Sequence, residues 1–246
     1  MQIIKRLVFL ALAMVFFTGI SKANIFDDFR DILKEQYMKP FARDIGGLIG
    51  ASDFHGGKTA GFPGFDISIY GSVQVEPESD NEILNANGVD IFGVPIVAVT
   101  VGLPYNLEVT ARGVGYAGVT LIGGGIKYGL FQGKMFGLLP KIKVGAYYDV
   151  FDHDYLKMTH WSIFASASFN LPIIKPYFGI GMDQTQLETK VISVDALTLP
   201  GTTVTVTEPR FTAGVNLTVF PMIHIFGAYN WLHGNTGFQV GAGIGF

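Results

Sequence analysis

Asp152, His153 and Asp154 are consecutive in the sequence, and His160 lies a few residues further along the chain. A histidine oriented by a carboxylate can act as a general acid or base, or it can hold a metal ion. This Asp–His cluster (Asp152, His153, Asp154 and His160) therefore has two interpretations. One is the site of a hydrolase, and the other is a polar loop at a water boundary. The sequence favours the loop, because no second group of reactive residues converges on the cluster.

A second set of ionisable residues is spread along the chain and alternates with apolar or small neighbours. It comprises Glu108, Arg112, Lys141, Lys143, Asp149, Lys175, Asp183, Arg210 and His224. Because buried charges need partners, both signs on one inner face predict a network of ion pairs. The alternative is a narrow selective pore or a small-ligand site. The prediction assigns no catalytic residue, no metal and no cofactor, and it treats His55 as a linker residue.

The elements that must position these residues are β-strands. From Phe65 onward apolar residues recur at every second position, which is the period of a strand. The pattern predicts an all-β fold, an antiparallel transmembrane barrel of about ten strands. The predicted strands are 65–75, 90–101, 105–116, 119–131, 140–151, 159–170, 173–187, 203–219, 222–231 and 236–246. Side chains can nearly fill the interior of an eight-stranded barrel, and ten strands enclose little more space. The inward charges are therefore expected to pair with one another.

Proline marks every second connection between the predicted strands. Pro104, Pro140, Pro172 and Pro221 fall at joints, where a residue without a backbone N–H does not interrupt the ladder. Most of the other joints are longer and more polar, such as 76–89. Short turns that alternate with long loops are typical of membrane barrels, in which the turns face the periplasm.

The composition indicates a protein that crosses a membrane with strands. Charged residues make up only 15% of the chain, which has 32 glycines, whereas soluble domains have about 25% charged residues. The longest apolar run after the N-terminus, 94–103, is too short for a membrane helix. Only helices and closed barrels satisfy every backbone group in lipid. The alternative is a secreted soluble ligand-binding β-barrel, which would place its apolar residues inside.

Aromatic residues near the predicted strand ends are expected to form a girdle at the lipid boundary, in preference to a carbohydrate site. These residues are Tyr116, Tyr128, Tyr147, Tyr148, Tyr155, Trp161, Tyr177, Tyr229 and Trp231.

The last predicted strand has apolar residues at its even positions and Gln or Gly between them. The apolar residues are Phe238, Val240, Ala242, Ile244 and Phe246. Such a strand with a C-terminal Phe resembles the closing strand of bacterial outer-membrane β-barrels. The resemblance implies the outer membrane of a Gram-negative bacterium, and it implies that the barrel-assembly machinery recognises this strand. The order of features, including 61–66 as an entry to the barrel, resembles small outer-membrane barrel families of unknown function. To close the barrel, 238–246 must pair with 65–75.

The first 23 residues predict a secretory signal peptide that is cleaved near Ala23. Lys5 and Arg6 precede an apolar stretch that is too short to be a comfortable membrane anchor. The chain has no cysteine, which excludes disulfides, thiolate sites and a lipid-modified cysteine. The formal net charge of −3 becomes more negative on cleavage, so no nucleic-acid partner is expected.

Residues 24–64 are predicted to form a separate N-terminal segment before the barrel at 65–246. Helical spacing runs from Asn24 to about Arg43, and Pro40 predicts a break near Lys39. The glycine-rich stretch 46–64 is predicted to be irregular. The segment is expected to begin at the periplasmic side and either to enter the lumen as a plug or to lie flat on the membrane.

Together these features predict an outer-membrane barrel that is a passive narrow channel, or a structural or binding barrel with an N-terminal plug. Its partners would be outer-membrane lipid and an unidentified small solute or ligand. The alternatives are an outer-membrane hydrolase with a site near 152–160 and the secreted soluble barrel.

Overall fold

The computed structural model describes residues 35–116, 118–133, 139–169, 171–190 and 201–246. The predicted signal peptide, its cleavage site and the first part of the predicted helix, 24–34, lie outside the described residues. Within the described part of the chain, no helix is both long and apolar enough to span a membrane.

Ten antiparallel strands form a closed barrel, as the alternation of the sequence predicts. They are β1 (Phe65–Val75), β2 (Ile91–Leu103), β3 (Leu107–Tyr116), β4 (Val119–Gln132), β5 (Lys141–Asp152), β6 (Leu156–Ser168), β7 (Ile174–Thr189), β8 (Thr203–Phe220), β9 (Ile223–Leu232) and β10 (Asn235–Gly245). Each strand pairs with its neighbours in sequence, and β1 pairs with β10 from Asp66↔Gly245 to Val75↔Thr236. The closed ring leaves no unpaired edge, which a wall in lipid requires.

The outer face of the barrel is apolar, and the inner face is polar. Val109 is 46% exposed, whereas its neighbour Glu108 is 3% exposed. The same alternation is seen at Ile67 and Ile69, which are exposed on either side of the buried Ser68. A soluble barrel has the reverse arrangement, since its apolar residues fill the core. The barrel is therefore of the transmembrane type, with an apolar wall and a polar lumen.

The two ends of the barrel differ in their connections. At the closing end, where β1 begins and β10 ends, lie all four proline joints. The β2–β3 turn there places Tyr105 and Asn106 at φ 63° and 60°, the left-handed geometry of a two-residue hairpin turn. At the opposite end, the loop end, the β1–β2 connection carries a short helix, α2 (Glu82–Asn85). The aromatic rings of Phe65 and Phe246 meet at the closing end, with centroids 4.3 Å apart.

The apolar residues of the last strand face outward, as its alternation implies. Phe238, Ile244 and Phe246 are 46%, 51% and 59% exposed. The backbones of Phe246 and Phe65 exchange hydrogen bonds of 3.0 and 3.1 Å, which extend the β1–β10 ladder.

The helix before the barrel, α1 (Glu35–Ala51), continues through Pro40. The predicted break near Lys39 is therefore wrong, as is the irregular structure predicted for 46–51. Phe41, Leu48 and Ile49 are fully buried, and burying each such side chain contributes about 1.5–3 kcal/mol. Together these contributions exceed the cost of about 3 kcal/mol for one proline inside a helix.

Residues 35–64 thread the lumen from the loop end to the closing end. Helix α1 packs against β1, β2 and β6 to β9, which places it inside the ring. Arg43 contacts Glu78 and Glu208 near the loop end, whereas Gly57 donates to Ser168 at the closing end. The described segment thus starts at the loop end, because the partners of Arg43 lie there, whereas the periplasmic start expected for residues 24–34 lies outside the described residues. We call residues 35–64 the plug segment.

Candidate functional site

The centre of the lumen holds a buried group of five charged residues, Asp53, Arg112, Asp149, Asp183 and Arg210, which we call the central ion cluster. Four of them come from strands, and each was predicted to face inward. Arg112 forms a bidentate pair with Asp149 at 2.6 and 2.7 Å. Arg210 Nε donates to Asp183 Oδ2 at 2.9 Å. All five side chains are inaccessible to solvent or nearly so, which makes the pairing obligatory.

Asp53 of the plug segment joins the two arginines. Its Oδ1 lies 3.0 Å from Arg112 Nη2, and its Oδ2 lies 2.8 Å from Arg210 Nη2. Ser162 Oγ also donates to this carboxylate. One residue of the plug segment thereby connects β3 and β8, which lie on opposite parts of the ring.

Two histidines extend the central ion cluster around Asp183. His233 Nε2 lies 3.0 Å from Asp183 Oδ2, and His160 Nε2 lies 4.0 Å from Asp183 Oδ1. His160 Nδ1 also hydrogen-bonds Thr185 Oγ1 at 2.9 Å. The sequence grouped His160 with the Asp–His cluster, but the alternation of β6 turns it into the lumen.

An aromatic layer lies beside the central ion cluster. Phe54 of the plug segment stacks on Phe164 with ring centroids 4.9 Å apart, and it meets Tyr177 edge-on at 6.4 Å. The guanidinium of Arg112 lies 4.0 Å from the centre of the Tyr147 ring. Tyr147 and Tyr177 are each 2% exposed, so the prediction that they join a lipid-facing girdle is wrong. Their outward neighbours Tyr148 and Phe178 occupy the lipid face.

The plug segment is also held at the loop end. The buried carboxylate of Asp44 accepts hydrogen bonds from the side chains of Gln74, Asn81 and Asn235 at 2.6, 2.7 and 3.2 Å. Burial raises the pKa of Asp44 above its usual value, although these hydrogen bonds oppose the rise. Asp44 therefore fastens α1 to β1, the β1–β2 loop and β10.

The closing end contains an open space instead of a packed core. This closing-end cavity measures about 320 Å³ and is lined by His55, Lys58, Asp66, Lys175 and His224, among others. Glu108 lies in its wall, where its carboxylate is 3.4 Å from Lys143 Nζ and 3.8 Å from Lys127 Nζ. Lys141, predicted to line the lumen, is partly exposed at the start of β5 and is not among the lining residues.

Three residues of the cavity wall come from different elements and face one another. His224 Nε2 lies 3.4 Å from Asp66 Oδ2. The His55 ring stacks on that of His224 with centroids 5.4 Å apart and on Phe226 at 4.4 Å. One nitrogen of each histidine and one oxygen of Asp66 lie within 4.8 Å of one another, so the three can share one cation.

The remaining residues of the Asp–His cluster lie at the loop end. Asp152 is paired with Lys190 Nζ at 2.7 Å, and the same ammonium donates to the His153 carbonyl at 2.9 Å. His153 Nδ1 accepts from the backbone N–H of Tyr155 at 3.3 Å. Burial lowers the pKa of His153. These contacts connect the β5–β6 turn to the end of β7.

Several residues of these sites were not predicted. Lys127 and Asp66 follow the strand alternation, and their neighbours Ile126 and Ile67 face out, so the period of two could have found them. Asp53 and His55 lie in a glycine-rich stretch with no period, and nothing in the sequence distinguishes them. Their roles depend on the path of the plug segment through the lumen.

The model of a protein family of unknown function, DUF6588, matches residues 83–246. The match covers more than half of the sequence, so the chain belongs to this family. The family membership confirms the resemblance to barrels of unknown function. No curated protein matches the sequence.

Solved structures with similar folds include outer-membrane proteins. The protease OmpT from Escherichia coli is 10% identical with a TM-score of 0.41, over 75% of this chain and 97% of that one. The N-terminal β-barrel domain of OprF from Pseudomonas aeruginosa is 15% identical with a TM-score of 0.39, over 75% and 98%. The attachment invasion locus protein Ail of Yersinia pestis is 15% identical with a TM-score of 0.36, over 75% and 99%. The fold assignment rests on the strand pairing of this chain and not on these similarities.

Proposed function

We propose that this member of the family is a non-enzymatic outer-membrane barrel that its own plug segment seals, and that it binds a small solute in the closing-end cavity. The proposal orients the barrel with its closing end toward the periplasm and its loop end toward the outside of the cell. The outward apolar wall and the short proline joints at the closing end support that orientation. The assembly machinery would recognise the outward-facing residues of the last strand, Phe238 to Phe246.

The observation that carries the proposal is the position of Asp53 between Arg112 and Arg210. A carboxylate that lies within 3.0 Å of both guanidinium groups and accepts a hydrogen bond from Arg210 occupies the axis where ions would pass. Around it α1 buries Phe41, Leu48 and Ile49 completely. Withdrawing the plug segment would expose this apolar surface to water, so the sealed barrel is the stable state.

The cavity at the closing end supports a binding role in place of a conducting one. It lies beyond the sealed centre and is reached from one side of the membrane. A solute that entered the cavity would be stopped at the central ion cluster, because no continuous path through the lumen lies beyond it. The alternative of a hydrolase at the Asp–His cluster remains a prediction, and the separation of His160 from Asp152 and His153 weakens it.

Planar-bilayer conductance tests the seal. We expect no steady conductance from the full-length protein and an open channel from a variant that lacks residues 24–60, because the inner wall alone leaves a polar lumen. A heat-modifiable gel shift shows whether each protein has formed its barrel. Steady conductance of the full-length protein equal to that of the deletion variant would contradict the proposal, as would a folded deletion variant that conducts nothing.

A further inference from the structure

The closing-end cavity contains polar atoms that have no partner. Asp66 Oδ1 and His224 Nε2 are buried, and neither has a hydrogen-bond partner among the described residues. A buried carboxylate oxygen and a buried imidazole nitrogen without partners are costly, and such groups call for an explanation, of which an absent ion is one. Both atoms belong to the group formed by His55, Asp66 and His224.

The geometry of this group fits a metal ion. In a tetrahedral zinc site with bonds of about 2.0–2.1 Å, two ligand atoms lie about 3.3–3.4 Å apart. His224 Nε2 and Asp66 Oδ2 are already 3.4 Å apart. One ring nitrogen of His55 lies within 4.8 Å of one ligand atom of each of the other two residues, so an adjustment of up to about 1.5 Å completes the set. The backbone of His55 and Gly56 is held by Asn216 and Ser166 of the wall, so the adjustment falls to rotation of the His55 side chain.

Four lysines (Lys58, Lys127, Lys143 and Lys175) and two acids (Asp66 and Glu108) line the cavity, so direct ligands and not the net charge of the wall would have to hold a cation. Lys127 and Lys143 both face Glu108, at 3.8 and 3.4 Å. Lys175 Nζ donates to Thr218 Oγ1 at 2.6 Å. The carboxylate of Asp66, in contrast, has only His224 as an ion-pair partner among the described residues. A divalent ion would supply the positive charge that Asp66 lacks.

We propose that His55, Asp66 and His224 bind one divalent transition-metal ion of the zinc class in the closing-end cavity. Two imidazoles and one carboxylate suit zinc and its neighbours in the first transition row and not magnesium or calcium, which prefer oxygen ligands. Three protein ligands leave a fourth position for water or a small anion from the cavity. The proposal deepens the binding role proposed above by naming the class of solute.

Such a site would join the plug segment to the barrel wall. His55 belongs to the plug segment, Asp66 to β1 and His224 to β9, so one ion would bridge three elements. The metal would thus hold the plug segment at the closing end, as Asp44 holds it at the loop end. Bound metal should therefore raise the temperature at which the heat-modifiable gel shift is lost.

Cobalt(II) titration of the metal-free, full-length protein in detergent tests the site, because tetrahedral cobalt absorbs visible light strongly. We expect one equivalent to give this spectrum and one equivalent of zinc to displace it. His55→Ala and His224→Ala should weaken binding by at least about tenfold, and Asp66→Asn, which keeps the side-chain shape, should do the same. His153→Ala at the loop end is the matched control and should bind as the unaltered protein does.

Two results would overturn the metal site. One is the absence of a tetrahedral spectrum in the unaltered protein, and the other is an unchanged spectrum in both folded His55→Ala and His224→Ala variants. The gel shift identifies the folded variants, and Asp66→Asn supplies the test if a histidine variant does not fold. The seal is formed at the central ion cluster and does not require the metal, so a failed titration leaves the sealed barrel intact, and a conducting full-length protein leaves the metal site intact.

Discussion

The central ion cluster and the closing-end cavity lie in the same lumen and are built by the same strand alternation, yet one is packed and the other is open. At the centre Asp53 lies between the charged strand residues, and every member of the central ion cluster has an ionic partner. At the closing end the plug segment has two consecutive glycines, Gly56 and Gly57, between His55 and Lys58. A cavity remains there, whereas buried atoms without a hydrogen-bond partner occur in both regions, such as Arg210 Nη1 at the centre and Asp66 Oδ1 at the closing end.

The difference separates the residues that hold the plug segment in place from the residues that can bind a solute. In the central ion cluster the inward charges pair with one another and with Asp53 of the plug segment. At the closing end Glu108 and Lys143 also contact the plug segment, at Ala60 and Lys58, but a cavity remains beside them. The bulk of the plug segment, and not the character of the wall, therefore decides where a solute can bind.

The largest expected effect comes from removing a basic residue of the packed region. Arg210→Met would leave Asp53 and Asp183 buried with too little positive charge, which should lower the free energy of unfolding by about 3–5 kcal/mol. Lys175→Met is the matched change in the cavity. Because Lys175 only donates to Thr218 and is partly exposed, it should cost about 1 kcal/mol or less. Urea unfolding of the folded barrels measures the free energy of unfolding of both variants. Equal decreases would show that charges in the two regions contribute equally to stability.

A smaller contrast is expected between two glycines of the plug segment. A Cβ at Gly50 would lie 2.7 Å from Asp183 Cγ and 2.8 Å from Arg210 Nε, whereas a Cβ at Gly56 would meet nothing within 4 Å. Gly50→Ala should therefore destabilise the protein by about 1–3 kcal/mol through overpacking. Gly56→Ala should change the stability by no more than about 0.5 kcal/mol. If Gly50→Ala left the free energy of unfolding unchanged, α1 would not approach the wall this closely.

The sequence predicts the wall of this barrel far better than its contents. The period of two is a local property, so the ten strands and the inward positions of Arg112, Asp183 and Arg210 follow from it. The four prolines mark the closing end for an equally local reason, since a residue without a backbone N–H is placed at a joint and not within a strand.

The plug segment could not be predicted in the same way. The helix passes Pro40 because burial in the lumen outweighs a local preference, and that burial exists only once the barrel has closed. Asp53 and His55 owe their positions to the same long-range packing. The position of His160 could have been predicted, because the alternation of β6 turns its side chain into the lumen, away from Asp152, His153 and Asp154.

The central claim is that the plug segment lies inside the closed barrel, and a pair of introduced cysteines tests it most directly. The chain has no cysteine of its own, and a Cβ at Gly46 would lie 3.1 Å from Thr185 Cβ, so a movement of about 0.4 Å or more would bring the pair into the range of about 3.5–4.5 Å found in disulfides. Gly46→Cys with Thr185→Cys should form a disulfide in the folded barrel, which a gel with and without reductant would detect. Gly56→Cys with Thr185→Cys should not form one. Two free thiols in the folded Gly46→Cys, Thr185→Cys protein, both open to maleimide, would contradict the account.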